Sequence, residues 1–398
     1  MERTTEALRR KKTLITANYA ENILYIHRKL KIVAKYIYQN KDWTNFIWQD
    51  NVINSLFGEV RNLQGRIFGQ MNSLGFSIKE ETNLSTLTLD VIKSSEIEGE
   101  QLNYDQVRSS IARRLGLDVA GLVSSSRAIE GVVEMMLDAT QNYTQPLTDD
   151  RLFGWHSALF PSGRSGMYKI EVGTYRTGEM VVVSGAMGKE KIHYEAPAPH
   201  LIDTEMFKFL KWFNEENDLD PVLKAAIAHF WFIIIHPFDD GNGRIARAIT
   251  DLMLARSDKS SDRFYSMSNQ ILVERKQYYA VLQRVQHSSG DITEWLVWFL
   301  SCLKNALVET ETVFQKIRSK NEFWNTLENT SINERQRIIL NKLLDNFQGN
   351  LTSSKWAKIT KTSQDTALRD IADLVAKGIL IKADSGGRST HYALNTNP

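Results

Sequence analysis

The period of the apolar positions changes along this chain of 398 residues, and the changes mark out its elements. Residues 37–140 read as helical, with apolar positions such as Leu84, Leu87 and Val91 at helical spacing and an aromatic group, Trp43, Phe46 and Trp48, ahead of them. Gln141 to Thr148 is polar and contains a proline, which suits a boundary. One more helix (RLFGWHSALF) then leads into glycine-rich turns at 161–173. Two short alternating runs in 179–195 flank Gly185 and Gly188 and predict a β-hairpin. Helix returns at Glu205 to Glu215. Asp220 as N-cap and Pro221 at the first position start a helix that is apolar nearly all round, and helices continue to about residue 325.

Residues 331–398 carry a different pattern. Ile332 to Phe347 predicts a helix with Asn333 as candidate N-cap, Thr352 to Ile359 a second, and Ser363 to Lys377 a third, capped by Ser363 and stopped by Gly378. Two strands around Gly386-Gly387 follow. Three helices and a hairpin are the order of a winged helix-turn-helix. The expected organisation is therefore an N-terminal extension (1–36), a helical region (37–140), a core (141–325) and a C-terminal winged helix domain (331–398), in a mainly α chain.

Composition narrows the classes. A single cysteine, Cys302, excludes a disulfide framework and a zinc site built on cysteine pairs, as suits a reducing compartment. No stretch reaches the ~18 apolar residues of a membrane span, and the basic N-terminus lacks the apolar run of a signal peptide, so a cytoplasmic protein is expected. The formal net charge of +2 conceals an uneven distribution. Nine Lys and Arg against three Asp and Glu leave +6 in residues 1–36, and ten against six leave +4 in 331–398. The portion between is acidic.

The chemistry is concentrated in twelve residues, His236-Pro237-Phe238-Asp239-Asp240-Gly241-Asn242-Gly243-Arg244-Ile245-Ala246-Arg247. Proline disfavours helix in the residue before it, so the apolar helix ends at His236 and sets the imidazole beside a loop. Gly241 and Gly243 permit positive φ and close approach of a ligand. A second helix begins near Asn242, and its first N–H groups make an anion nest. Arg244 and Arg247 lie three residues apart, suited to forked contacts with phosphate. Asp240 is a hard oxygen ligand of the kind Mg²⁺ takes beside phosphates. A histidine able to accept a proton near neutral pH completes a site for a phosphate-containing substrate.

This stretch matches the Fic-domain signature HPFx[D/E]GN[G/K]RxxR at every position, and the chain thereby resembles the Fic family. SSEIEG, with Ser94, Glu98 and Gly99, resembles the family's inhibitory motif [S/T]xxxE[G/N], placed as in the class with an N-terminal inhibitory helix. YRTGEMVVVSG resembles the flap, and RKQYYAVL the segment closing the adenine pocket. The resemblance runs from about residue 37 onward. It implies a helical Fic fold with a β-hairpin flap, and transfer of AMP from ATP to a Ser, Thr or Tyr hydroxyl of a protein. It further implies that His236 is the general base and that Asp240 holds Mg²⁺. Gly241, Asn242 and Gly243 would line the anion hole, Arg244 would contact the polyphosphate, and Arg247 the γ-phosphate. Tyr279 and Leu282 would pack on adenine, although their spacing alone reads equally as core. Glu98 would pair with Arg247 and block a productive ATP pose. Strand residues 180–183 would pair with an extended target segment.

Other readings stay open. The same site could remove AMP, or the chain could be a DNA-binding regulator or a homodimer. Arg369, Arg388, Lys355, Lys358 and Lys361 could touch a DNA backbone, whereas Asp365, Asp370 and Asp373 on the third helix would repel it. His229 reads as a core histidine, and His156, His193 and His200 lack metal-ligand spacing.

Overall fold

In the computed structural model the described residues are 36–73, 76–117, 122–184, 191–216, 218–344, 347, 349–383 and 390–395. The extension ahead of Tyr36, the flap turn with Gly185 and Gly188, and Arg388 with the Gly386-Gly387 turn lie outside them. The fold is mostly helical, with short β-hairpins. It divides into two compact units, 1–309 and 310–398, the division falling inside one long helix.

The first unit contains α1 (Asp50–Asn72), α2 (Phe76–Ile97), α3 (Tyr104–Arg114), α4 (Arg127–Gln141) and α5 (Asp149–Leu159). Two hairpins follow, β1 (Arg164–Ser165) with β2 (Tyr168–Lys169), and β3 (Val181–Ser184) with β4 (Lys191–Glu195), both antiparallel. Then come α6 (Ile202–Asn214), α7 (Pro221–Ile235), α8 (Asn242–Asp258), α9 (Met267–Val273), α10 (Arg275–Val285) and α11 (Thr293–Thr326), whose N-terminal half belongs to this unit.

The core is built round α7. Its start is as the sequence predicts: Pro221 occupies the first turn, and the Asp220 carboxylate accepts the Val222 N–H at 2.8 Å. Because α7 is apolar on every face, it must be enclosed. Phe209 of α6 meets Trp231 at 5.7 Å between centroids, and Trp43 and Phe46 meet Trp231 at 5.9 and 5.7 Å. From α11, Trp295 donates its indole N–H to the Ala226 carbonyl at 2.8 Å. The fourth side is α8. His229 is a core residue as expected, fully buried between the Thr250 hydroxyl at 2.8 Å and the Tyr278 hydroxyl at 2.9 Å. Helices α4 and α5 cross closely because Gly131 has no side chain: a methyl group there would fall 1.7 Å from the Ala158 carbonyl oxygen.

The second unit consists of the end of α11, then α12 (Glu334–Leu344), α13 (Ser353–Thr360), α14 (Gln364–Ala376) and the antiparallel pair β5 (Leu380–Ala383) and β6 (His391–Leu394). Trp356, Ile339, Ile371, Leu374 and Leu380 form its core. Asn333 and Gln336 cap α12 reciprocally, and the Ser363 hydroxyl accepts from the Thr366 N–H. Of the three acidic residues of α14, Asp370 is turned inward, whereas Asp365 and Asp373 are exposed. Asp370 is buried and bonds Arg335 and Asn333 of the α12 segment, and Asp373 is spent on Gln336 and Lys377.

Candidate active site

His236 ends α7 in the left-handed conformation, at φ 52°, ψ 58°. Pro237 cannot continue the helix, and the histidine absorbs the turn. Its Nδ1 lies 3.1 Å from the Ile233 carbonyl oxygen. A carbonyl only accepts, so Nδ1 carries the proton and the Nε2 lone pair is the basic one. Burial pushes the imidazole down to about 4; the Ile233 hydrogen bond and the Glu98 and Asp240 carboxylates raise it, and the Arg176 charge lowers it. The group is therefore neutral at pH 7 and ready to take a proton.

The loop after His236 is closed by Asn242. Its amide accepts from the Phe238 N–H at 3.0 Å and donates to the Phe238 carbonyl at 2.8 Å. The Asn242 side chain is thus spent on loop geometry, and only its backbone N–H is left for the nest. Gly241 sits at φ +82° with the Phe160 ring against it, a conformation and a space that suit glycine. The ring of His156, fully buried, stacks on Phe238 at 4.3 Å and holds the loop from behind.

Asp240 accepts the Gly241 N–H at 2.6 Å on Oδ1 and the Ser165 hydroxyl on Oδ2. The neighbouring Asp239 accepts the Glu171 N–H at 2.9 Å. Among the described residues no three His, Cys, Asp or Glu cluster as a metal cage. A single carboxylate beside an anion nest does fit Mg²⁺, which keeps water and phosphate ligands and needs only one or two protein oxygens.

Arg244 and Arg247, in the first two turns of α8, are both buried and both paired. Arg247 donates from Nε to the Ser94 hydroxyl, and from Nη2 to the Ser94 carbonyl and to Oε1 of Glu98, each at 2.8 Å. Arg244 donates from Nη1 to Oε2 of Glu100 at 2.9 Å, and its guanidinium lies 5.0 Å over the Phe160 ring. The Glu98 carboxylate also covers Gly243: a methyl group at that glycine would fall 2.1 Å from Oε1. A carboxylate therefore lies against the helix N-terminus where an anion is expected.

The flap hairpin is tied to this centre by a residue that sequence reasoning passed over. Arg176 is buried and donates to the His236 carbonyl at 2.9 Å, the Gly178 carbonyl at 2.7 Å and the Pro197 carbonyl at 2.6 Å. Tyr194 of β4 donates its hydroxyl to the Ile234 carbonyl. Strand β3 leaves Val182 and Val183 exposed. Of the two residues expected at the adenine, Leu282 is buried in the core, whereas Tyr279 is 43% exposed and stacked under Arg275. The Tyr279 hydroxyl is raised by burial and by the Glu98 charge, and lowered by Arg247 and Arg275.

The helical core carries a histidine at a helix end, followed by a glycine-bearing helix N-terminus and two arginines. Residues 146–254 match the Fic/DOC family, so the chain carries a Fic/DOC domain, and residues 36–117 match a domain of unknown function, DUF4172. The protein adenylyltransferase fic-1 of Caenorhabditis briggsae is 36% identical over 90 residues, 22% of this chain and 16% of that protein. The protein adenylyltransferase Fic of Drosophila mojavensis is 27% identical over 223 residues, 54% of this chain and 40% of that one. The chain thus spans less than half the length of these relatives. A Fic family protein from Desulfovibrio desulfuricans, known from its crystal structure, superposes with a TM-score of 0.49 at 20% identity, over 87% of this chain and 97% of that one.

Proposed function

We propose that this chain is a protein adenylyltransferase held in check by Glu98. The observation that carries the reading is the Glu98 carboxylate itself, bonded to Arg247 and lying over Gly243. A negative group is held there by the donors that would otherwise take a phosphate.

The chemistry follows from the residues. With Nδ1 protonated, Nε2 of His236 accepts the proton of a target Ser, Thr or Tyr hydroxyl as that oxygen attacks the α-phosphorus of ATP. The new oxygen–phosphorus bond forms as the bond to the β-phosphate bridging oxygen breaks, and pyrophosphate leaves. The N–H groups of Asn242 and Gly243 would face the charge developing on the α-phosphate oxygens, joined by that of Gly241 once it leaves the Asp240 carboxylate, and Arg244 and Arg247 would take the outer phosphates. Mg²⁺ on Asp240 would neutralise phosphate charge. Arg176 holds the flap against the backbone of the catalytic histidine. The exposed β3 edge beside it would receive an extended target segment and set its hydroxyl in line.

The test is labelling with ATP carrying ³²P at the α- or the γ-position. Label should reach protein from α- and not from γ-labelled ATP. Glu98→Gly should label itself and lysate proteins more strongly than wild type, by about tenfold or more if a hydrogen-bonded charge pair is lost. His236→Ala should label nothing. Equal labelling by wild type and Glu98→Gly would refute the inhibitory role.

A further inference from the structure

The inhibitory turn carries a second carboxylate, and the structure gives it a partner. Helix α2 ends in a Schellman motif around Gly99, at φ +86°. The Gly99 N–H bonds the Glu96 carbonyl at 3.0 Å, and the Glu100 N–H bonds the Ser95 carbonyl at 3.0 Å. This closure fixes the residues on both sides of the glycine. Glu98 is directed to Arg247 and Glu100 to Arg244, with N–O distances of 2.8 and 2.9 Å. One rigid turn thus delivers one carboxylate to each of the two arginines.

We propose that Glu100 is a second inhibitory carboxylate, which competes with the polyphosphate of the nucleotide for Arg244. This rests on the adenylyltransferase reading above. Three further observations support it. The Arg244 side chain is only 8% exposed and lies over Phe160, so it has little freedom to serve two anions in turn. Its Nε is buried without a hydrogen-bond partner among the described residues, as is Nη1 of Arg247, so both guanidiniums keep a donor unspent in the resting state. Finally, Glu100 is 43% exposed and can swing into water without unfolding anything. Release of Glu98 alone therefore leaves Arg247 with only its Ser94 bonds and leaves Arg244 engaged.

The experiment measures ATP and adenosine binding by calorimetry, and AMP transfer, in the full chain as wild type, Glu98→Gly, Glu100→Gln and the double variant. In the Glu98→Gly background, Glu100→Gln should tighten ATP binding about two- to fivefold, as suits an ion pair with one partner half in solvent. KM for ATP should fall by the same factor at unchanged kcat. Adenosine, which has no phosphates, should bind equally to both. An unchanged or weakened ATP affinity would overturn the proposal, and so would an equal gain for adenosine, which would mean general loosening. Absence of ATP binding and transfer in Glu98→Gly itself would instead refute the adenylyltransferase reading, and this one with it.

Discussion

His236 shows how one residue's surroundings set its chemistry. Its role as a helix end beside a loop was legible from the proline after it, because the effect of proline on its predecessor is local. What the local pattern does not contain is the burial and the Arg176 charge that lower the imidazole to about 4. A base of this kind is unprotonated above its folded pKa, so AMP transfer should be flat from pH 8 to about 5 and fall as the pH drops through about 4. Glu98 is one of the charges that raise the imidazole, so its removal in Glu98→Gly should move the fall lower still. A pH–rate profile of that variant tests this, and an inflection near the ordinary ~6.5 would refute the buried-base account. Arg176 and Glu100 escaped the sequence reading for a related reason. Their partners are carbonyls and an arginine up to 144 positions away, and no spacing rule connects them.

Among the elements, ends were more legible than encounters. Asp220, Asn333 and Ser363 cap the helices where capping chemistry predicts them. Each predicted helix of 331–398 lies within a few residues of an observed one, since a cap is a contact within one turn. The crossing of α4 and α5 had no such local sign: Gly131 looks like any helical glycine until the Ala158 carbonyl is seen against it. Gly131→Ala should raise helix propensity yet destabilise the protein, by about 1–3 kcal/mol, because a backbone oxygen cannot step aside as a side-chain tip can. Urea denaturation would measure it, and a stabilised variant would show that the helices can part at little cost. Glu98 belongs to both groups. Its place after a helix end was readable from Gly99, while its contact with Gly243 required the fold.

For the whole molecule, the sequence indicated a mainly helical chain, and the structure bears that out; no described helix is long and apolar enough to cross a membrane. The C-terminal unit begins at Thr310, inside α11, where a continuous helical pattern offers no punctuation to read. The outward residues of α14 bear on the DNA reading. Leu368 and Val375 are 44% and 37% exposed, Asp365 is exposed, and Arg369 is the basic residue among them. Such a face offers little to phosphates. We expect that duplex DNA is not retarded by the full chain in a gel-shift assay even at low salt. Retardation that weakens steeply with added salt would reinstate that reading.

The glycine-stopped turn of α2 has a consequence for timing. A latch made from one or two charged hydrogen bonds, each worth about 1.5–3 kcal/mol, leaves roughly 0.6–7% of molecules unlatched at any moment if only one of them must break. If the proposed inhibition holds, such a protein would never be silent: it would leak, and its resting signal would accumulate with time and with copy number. The set point of that leak would then be written in Glu98, Glu100 and the glycine between them, where a single substitution would retune it without touching His236.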